Sequence, residues 1–211
     1  MDWYRQTAWT DAIADEFEQR LSRSRSKRDE YLRIQAFTLV EQDIPQLAQA
    51  GIGLAKRQLE LSPAGMFAAQ MWATIAKGYA TLEQPDEVVE AYRQSIRCEA
   101  ETPNVRGYHY VDFAWYATTH SAVALYPEVL AAIEQNVQKN DLIFPATQYR
   151  FFGALALMAA DNGDASEAKR MAQNAITAAD RESGPFGWRP LIGLLRGGHD
   201  PIRTRLKRLA S

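Results

Sequence analysis

The sequence predicts an all-α chain: an α-solenoid of antiparallel helical hairpins with flanking capping helices. Three observations predict it. Apolar residues recur at helix spacing along most of the chain. Strand-like alternation bounded by tight turns is missing; Asn162-Gly163-Asp164, the nearest approach to a hairpin turn, stands between two helical patterns. One layout, an apolar stripe, a break and a second stripe, recurs about every 40 residues.

The elements follow in order. Trp9, Ile13, Phe17 and Leu21 make a stripe on a helix over 10–23, with Thr10 at its N-cap. A first, fainter copy of the layout runs from Tyr31, Leu32 and Ile34 through an Asp43-Ile44-Pro45 break to Leu54 and Leu59. In the second, Trp72, Ile75, Ala76 and Tyr79 precede a break at Glu83-Gln84-Pro85. Proline suits a first helical turn, where its missing N–H has no intrahelical partner anyway. A helix then runs through Val88, Ala91, Tyr92 and Ile96. The third copy has Phe113, Tyr116 and Ala117, a break at Leu125-Tyr126-Pro127, and Val129, Leu130, Ile133 and Val137.

In the fourth, Phe152, Leu155, Ala156 and Ala159 lead to Asn162-Gly163-Asp164, then Ala168, Ala172, Ala175 and Ile176. Gly163 suits the left-handed residue that ends a helix. Asp164 and Glu167 read as a capping box for the next one. After a turn-rich stretch at 183–188, Asp200-Pro201 starts a final helix with Ile202, Leu206 and Leu209 on one face. The expected organisation is one domain, 1–211: an N-terminal helix in 1–26, about four hairpins in 27–180 and a C-terminal cap in 181–211, covering faces an array leaves open.

The segment Trp72–Ile96 resembles a tetratricopeptide repeat (TPR). An aromatic and small residues stand on the first helix, a tyrosine near its end, and small, aromatic and small residues on the second. Ala156, Gly163, Asp164, Ala168 and Ala175 match the same pattern in the last copy. The resemblance covers roughly residues 27–180 and is specific in two of four copies; its period of about 40 exceeds the usual 34 or so. It implies closely crossing helices, with Ala156 and Ala168 at the crossings. It also implies a binding groove lined by the first helix of each hairpin. The clamp residues of chaperone-binding members are not matched, so no chaperone role is carried over.

Composition bounds the function. The chain has 211 residues, 46% apolar and 24% charged, with a net charge of −2. This is a globular balance and argues against a dedicated nucleic-acid or membrane binder. Basic residues crowd Arg20 to Arg33 and Arg203 to Arg208, and an acidic stretch runs from Glu83 to Glu101; such runs usually mark solvated helix faces. No apolar run approaches the roughly 20 residues of a membrane helix, and the N-terminus has no signal pattern. A cytoplasmic location is expected.

Chemical motifs are weak. Gly51-Ile52-Gly53-Leu54-Ala55-Lys56 lacks phosphate-loop spacing, and both glycines read as close helix contacts. His109 and Asp112 share an i, i+3 spacing, short of the three or four ligands a metal needs, and His120 reads as a buried, hydrogen-bonded histidine. Cys98, the only cysteine, reads as half-buried and inert. GxSxG does not occur. No enzyme activity, cofactor or metal is expected. Five aromatics between Tyr108 and Tyr116 cannot all face inward, so one or two, Trp115 among them, are expected at a partner surface.

The expected function is therefore a protein–protein or peptide interaction module. Its groove is lined by Gln70, Ala73, Lys77, Val111, Ala114, Thr118, Arg150, Gly153 and Leu157, with Trp115 nearby. Lys77 and Arg150 would make it mildly cationic and suited to an acidic or C-terminal segment. The alternative is a regulatory or structural subunit that associates through its terminal helices, for instance as a homodimer. A small-molecule or enzymatic site in the groove ranks third.

Overall fold

Five helices occupy the first half of the chain: α1 (Asp11–Arg23), α2 (Arg28–Val40), α3 (Pro45–Leu61), α4 (Ala68–Thr81) and α5 (Pro85–Glu101). Five more follow: α6 (His109–Thr119), α7 (Tyr126–Asn136), α8 (Pro145–Asp161), α9 (Ala165–Ala179) and α10 (Pro201–Ala210). The structure, a computed structural model, describes residues 2–102, 104–137, 142–195 and 201–211, and no strand occurs among them. Asp200, expected with Pro201 to start the final helix, lies outside the described residues. Contacts gather the chain into two compact units, one up to His109 and one from Tyr110.

Local chemistry sets the helix starts. Thr10 Oγ1 accepts from Ile13 N–H at the head of α1. Pro45, Pro85 and Pro145 occupy the first turns of α3, α5 and α8, and Pro127 that of α7. Asp164 Oδ1 accepts from Glu167 N–H at 3.0 Å to cap α9. The reciprocal half of a capping box is replaced by a Glu167–Arg170 ion pair.

The turns that end α2, α4, α6 and α8 share one device. Asp43, Glu83, Ser121 and Gly163 each adopt a positive φ, between 53° and 79°. In three of them the chain closes as a Schellman motif: Gln84 N–H donates to Tyr79 O, Ala122 N–H to Ala117 O, and Asp164 N–H to Ala159 O. Only the last of the four turns has the glycine that favours this conformation.

Within the first unit, α2 packs on α3, α3 on α4 and α4 on α5. Small residues permit the approach. A Cβ on Gly51 would lie 2.9 Å from the Ala36 carbonyl oxygen of α2, so this glycine is a close helix contact. Gly53 is not: nothing comes within 4 Å of its Cβ position, because the next-but-one residue of a helix points about 200° away. The N-terminal segment is pinned by the buried Gln35, whose amide exchanges two 2.8 Å hydrogen bonds with the backbone of Gln6. Trp3 packs against Phe17 and Tyr31, and Trp9 against Phe17.

Glu99, counted in the sequence as part of a solvated acidic run, is buried. Its carboxylate accepts from the backbone N–H groups of Gly107, Tyr108 and His109 at 2.8–3.0 Å. Three charge-assisted bonds offset the cost of taking that charge from water.

In the second unit α8 packs on α9 and α9 on α10. Ala156 and Ala168 are buried. Leu206 of α10 is fully buried among Ala172, Ala175, Ala178 and Ala179, with Ile202 and Leu209 against the same cluster. Arg203 pairs with Asp180, and Gln173 Nε2 donates to Ala210 O, so α10 runs antiparallel to α9. His120 is exposed rather than buried: it follows the last turn of α6 and packs over Tyr116, with Nδ1 2.9 Å from Tyr116 O.

Candidate interaction surface

Helices α2 and α4 lie side by side and parallel. Three links of nearly equal sequence offset fix this. Arg33 Nη1 donates to Gln70 Oε1 across 37 positions, Lys77 Nζ to Glu41 Oε1 across 36, and Thr81 Oγ1 to Asp43 Oδ1 across 38. Arg33, Phe37 and Glu41 follow one another at i, i+4, i+8 and form a single stripe of α2. Phe37 is 44% exposed in the middle of it. The same offset puts the half-buried Ala73 of α4 opposite, too small to cover the ring. The result is an aromatic surface framed along the helix by two polar links. Arg33 also stacks its guanidinium 4.1 Å over the Phe67 ring, which holds that end of the frame.

A related arrangement occurs in the second unit between α6 and α8. Arg150 Nη1 lies 2.7 Å from Asp112 Oδ1. Trp115 packs against Tyr149 at 5.3 Å between centroids and covers Gly153, whose added Cβ would meet the indole at 2.8 Å. Here the aromatic fills the hollow left by the small residue opposite and stays half-buried.

Of the residues expected to line a groove, Gln70, Ala73 and Lys77 stand together on the α2/α4 face, and Arg150 and Trp115 together on α6/α8. Thr118 and Leu157 do not belong to a surface. Both are fully buried, as are Val111 and Ala114. For Thr118, Val111 and Ala114 the physical reason is rotation: one residue turns a helix by about 100°, and Arg150 meets Asp112 rather than its neighbour Val111; Leu157 is taken into the core cluster around Leu206. The expected cationic character is corrected too. Lys77 and Arg150 are each neutralised by a carboxylate of the preceding first helix. Phe37 was missed, although an aromatic flanked at i−4 and i+4 by opposite charges is a readable signal on a helix.

Tyr126 donates to Asp161 at 2.6 Å, and Arg205 of α10 pairs with the other oxygen of that carboxylate. Burial, then the bond to Asp161, holds the Tyr126 phenol well above its usual pKa. Burial, then the charge of Glu101, pushes the Cys98 thiol up, so its reactive thiolate is scarce at neutral pH. Among the described residues no group of three His, Cys, Asp or Glu side chains could hold a metal ion, and no helix is long and apolar enough to cross a membrane. The chain matches no family model, no curated protein and no solved structure.

Proposed function

We propose that this chain is a non-catalytic protein–protein or peptide interaction module. It is built from TPR-like helical hairpins with a period of about 40 residues and works in the cytoplasm. The α2/α4 face carries the proposal. Phe37 offers apolar area that a partner side chain can cover, and the Arg33–Gln70 and Glu41–Lys77 links offer the polar rim that excludes water from such an anchor. Because Glu41 neutralises Lys77, the face suits a segment with a central apolar side chain rather than a strongly acidic one.

The experiment is a selection of displayed random peptides on the intact protein, followed by rebinding to Phe37→Asp. Enriched peptides should share an apolar position and lose binding to the variant, whose far-UV circular dichroism stays that of the parent. No enrichment, or peptides that bind the variant equally well, would remove this face from consideration. Self-association through the terminal helices is the second reading; against it, α10 already uses its apolar stripe inside its own unit.

A further inference from the structure

The loop joining α1 to α2, with the helix ends beside it, gathers several exposed cations. Several cations elsewhere are paired: Arg20 with Glu16, Arg57 with Glu18, Lys77 with Glu41, Arg170 with Glu167. Arg23, Arg25, Lys27 and Arg28 fall within six positions, all four are exposed, and among the described residues no carboxylate lies at ion-pair distance from any of them. Arg28 spends one guanidinium N–H on the Ser22 carbonyl at 3.4 Å. Neighbouring like charges of this kind repel one another.

Beside the loop is an open cleft of about 390 Å³ lined by Ser22, Ser24, Arg25, Ser26, Arg28, Asp29 and Leu61. Leu61, at the end of α3, is 52% exposed and forms its apolar wall. The cleft therefore combines guanidiniums, hydroxyls and one aliphatic surface.

We propose that this loop is a docking surface for an acidic segment of a partner protein. Carboxylates of an extended Asp/Glu-rich peptide take the Arg25 and Arg28 guanidiniums, whose forked N–H groups match a carboxylate in shape as well as charge. An aliphatic side chain of the same segment lies on Leu61. Two features select a peptide over a nucleic acid. Asp29 lines the cleft and Glu30 follows it, so an unbroken row of phosphates meets fixed negative charge, whereas a peptide can turn a backbone N–H toward Asp29. The same unit also exposes Glu83, Asp86, Glu87 and Glu90, which repel a long polyanion. The surface is independent of the α2/α4 face, since Arg28 precedes Phe37 by about 13 Å of helical rise.

The test uses the full chain and fluorescence anisotropy with a labelled Glu-Glu-Leu-Glu-Glu-Leu peptide at low salt. A labelled single-stranded oligodeoxynucleotide serves as the competing polyanion. Peptide binding should weaken about tenfold or more in Arg25→Glu/Arg28→Glu, and should fall steeply as salt is raised. Phe37→Ala should bind the peptide as the parent does, which separates this surface from the one proposed above. The idea is overturned if the peptide fails to bind the parent, or if it binds the double variant equally well. It is also overturned if the oligonucleotide binds more tightly than the peptide and loses that binding in the double variant.

Discussion

Lys77 Nζ of α4 lies 2.6 Å from Glu41 Oε1, at the residue that ends α2. The pair does two things. It ties two first helices together, and it relieves an unfavourable placement, because a carboxylate at a helix C-terminus faces the negative end of the helix dipole. Both side chains are substantially exposed, so the attraction is screened. A double-mutant cycle with Glu41→Gln and Lys77→Met should give a coupling below about 1 kcal/mol, smaller still at high salt. In the Lys77→Met background, Glu41→Gln should stabilise by a few tenths of a kcal/mol. A coupling above about 2 kcal/mol would show that the pair is part of a desolvated network.

The positive-φ turns give a second prediction. Non-glycine residues at Glu83 and Ser121 hold a conformation that glycine adopts without penalty. Glu83→Gly and Ser121→Gly should each stabilise by about 0.5–1 kcal/mol in denaturant melts, the relief of the turn outweighing the greater freedom of the unfolded chain. Gly163→Ala should destabilise by about 1 kcal/mol. Asp43 is the informative exception. Its carboxylate accepts from Thr81, so Asp43→Gly relieves the backbone but removes that bond, and should come out near neutral.

Gly51 and Gly53, two residues apart on α3, should respond oppositely to alanine. At Gly53 the new methyl meets nothing, and the gain in helix propensity should stabilise by about 0.5–1 kcal/mol. At Gly51 it would press on the Ala36 carbonyl and the Val40 side chain, and backbone cannot move aside cheaply. Overpacking there should cost about 1–3 kcal/mol. Equal effects at the two sites, measured by urea unfolding, would contradict the packing of α2 on α3.

Helix boundaries were legible because the chain marks them with local chemistry: Thr10, Pro45, Pro85, Pro127, Gly163 and Asp164 all act within a turn of themselves. Three things were not legible. The turn at Glu83 matches that at Gly163 in geometry without sharing its residue type, so composition hides it. The burial of Glu99 depends on backbone donors from the next loop, a relationship that no periodicity expresses. On the candidate surface, spacing located Gln70 and Lys77 but misplaced Thr118, because aligning Trp72 with Phe113 shifts α6 by one residue from the pairing that Arg150 and Asp112 make; Leu157 was misplaced for a different reason, since the core cluster around Leu206 takes that side of α8. A shift of one is harmless for finding a helix and decisive for saying which face is wet.

The last prediction concerns α10. Its central side chain, Leu206, is fully buried in the alanine-rich seam of α9, and Ile202 and Leu209 pack beside it. Its arginines divide as the geometry demands: Arg203 and Arg205 reach back to Asp180 and Asp161, while Lys207 and Arg208 are exposed in the last turn, where they suit the helix dipole. Ending the chain after Gly198 removes all of this at once. The alanine seam would be opened to water, and Asp161 would keep Tyr126 but lose its cation. A lower melting temperature, with aggregation at concentrations where the parent is monodisperse, is the expected result. A milder variant isolates the packing from the charges: Leu206→Ala should cost about 2–5 kcal/mol, the range for deleting a buried leucine side chain. If the truncated chain melts at the parent's temperature, or Leu206→Ala is neutral, α10 is not holding the end of the unit.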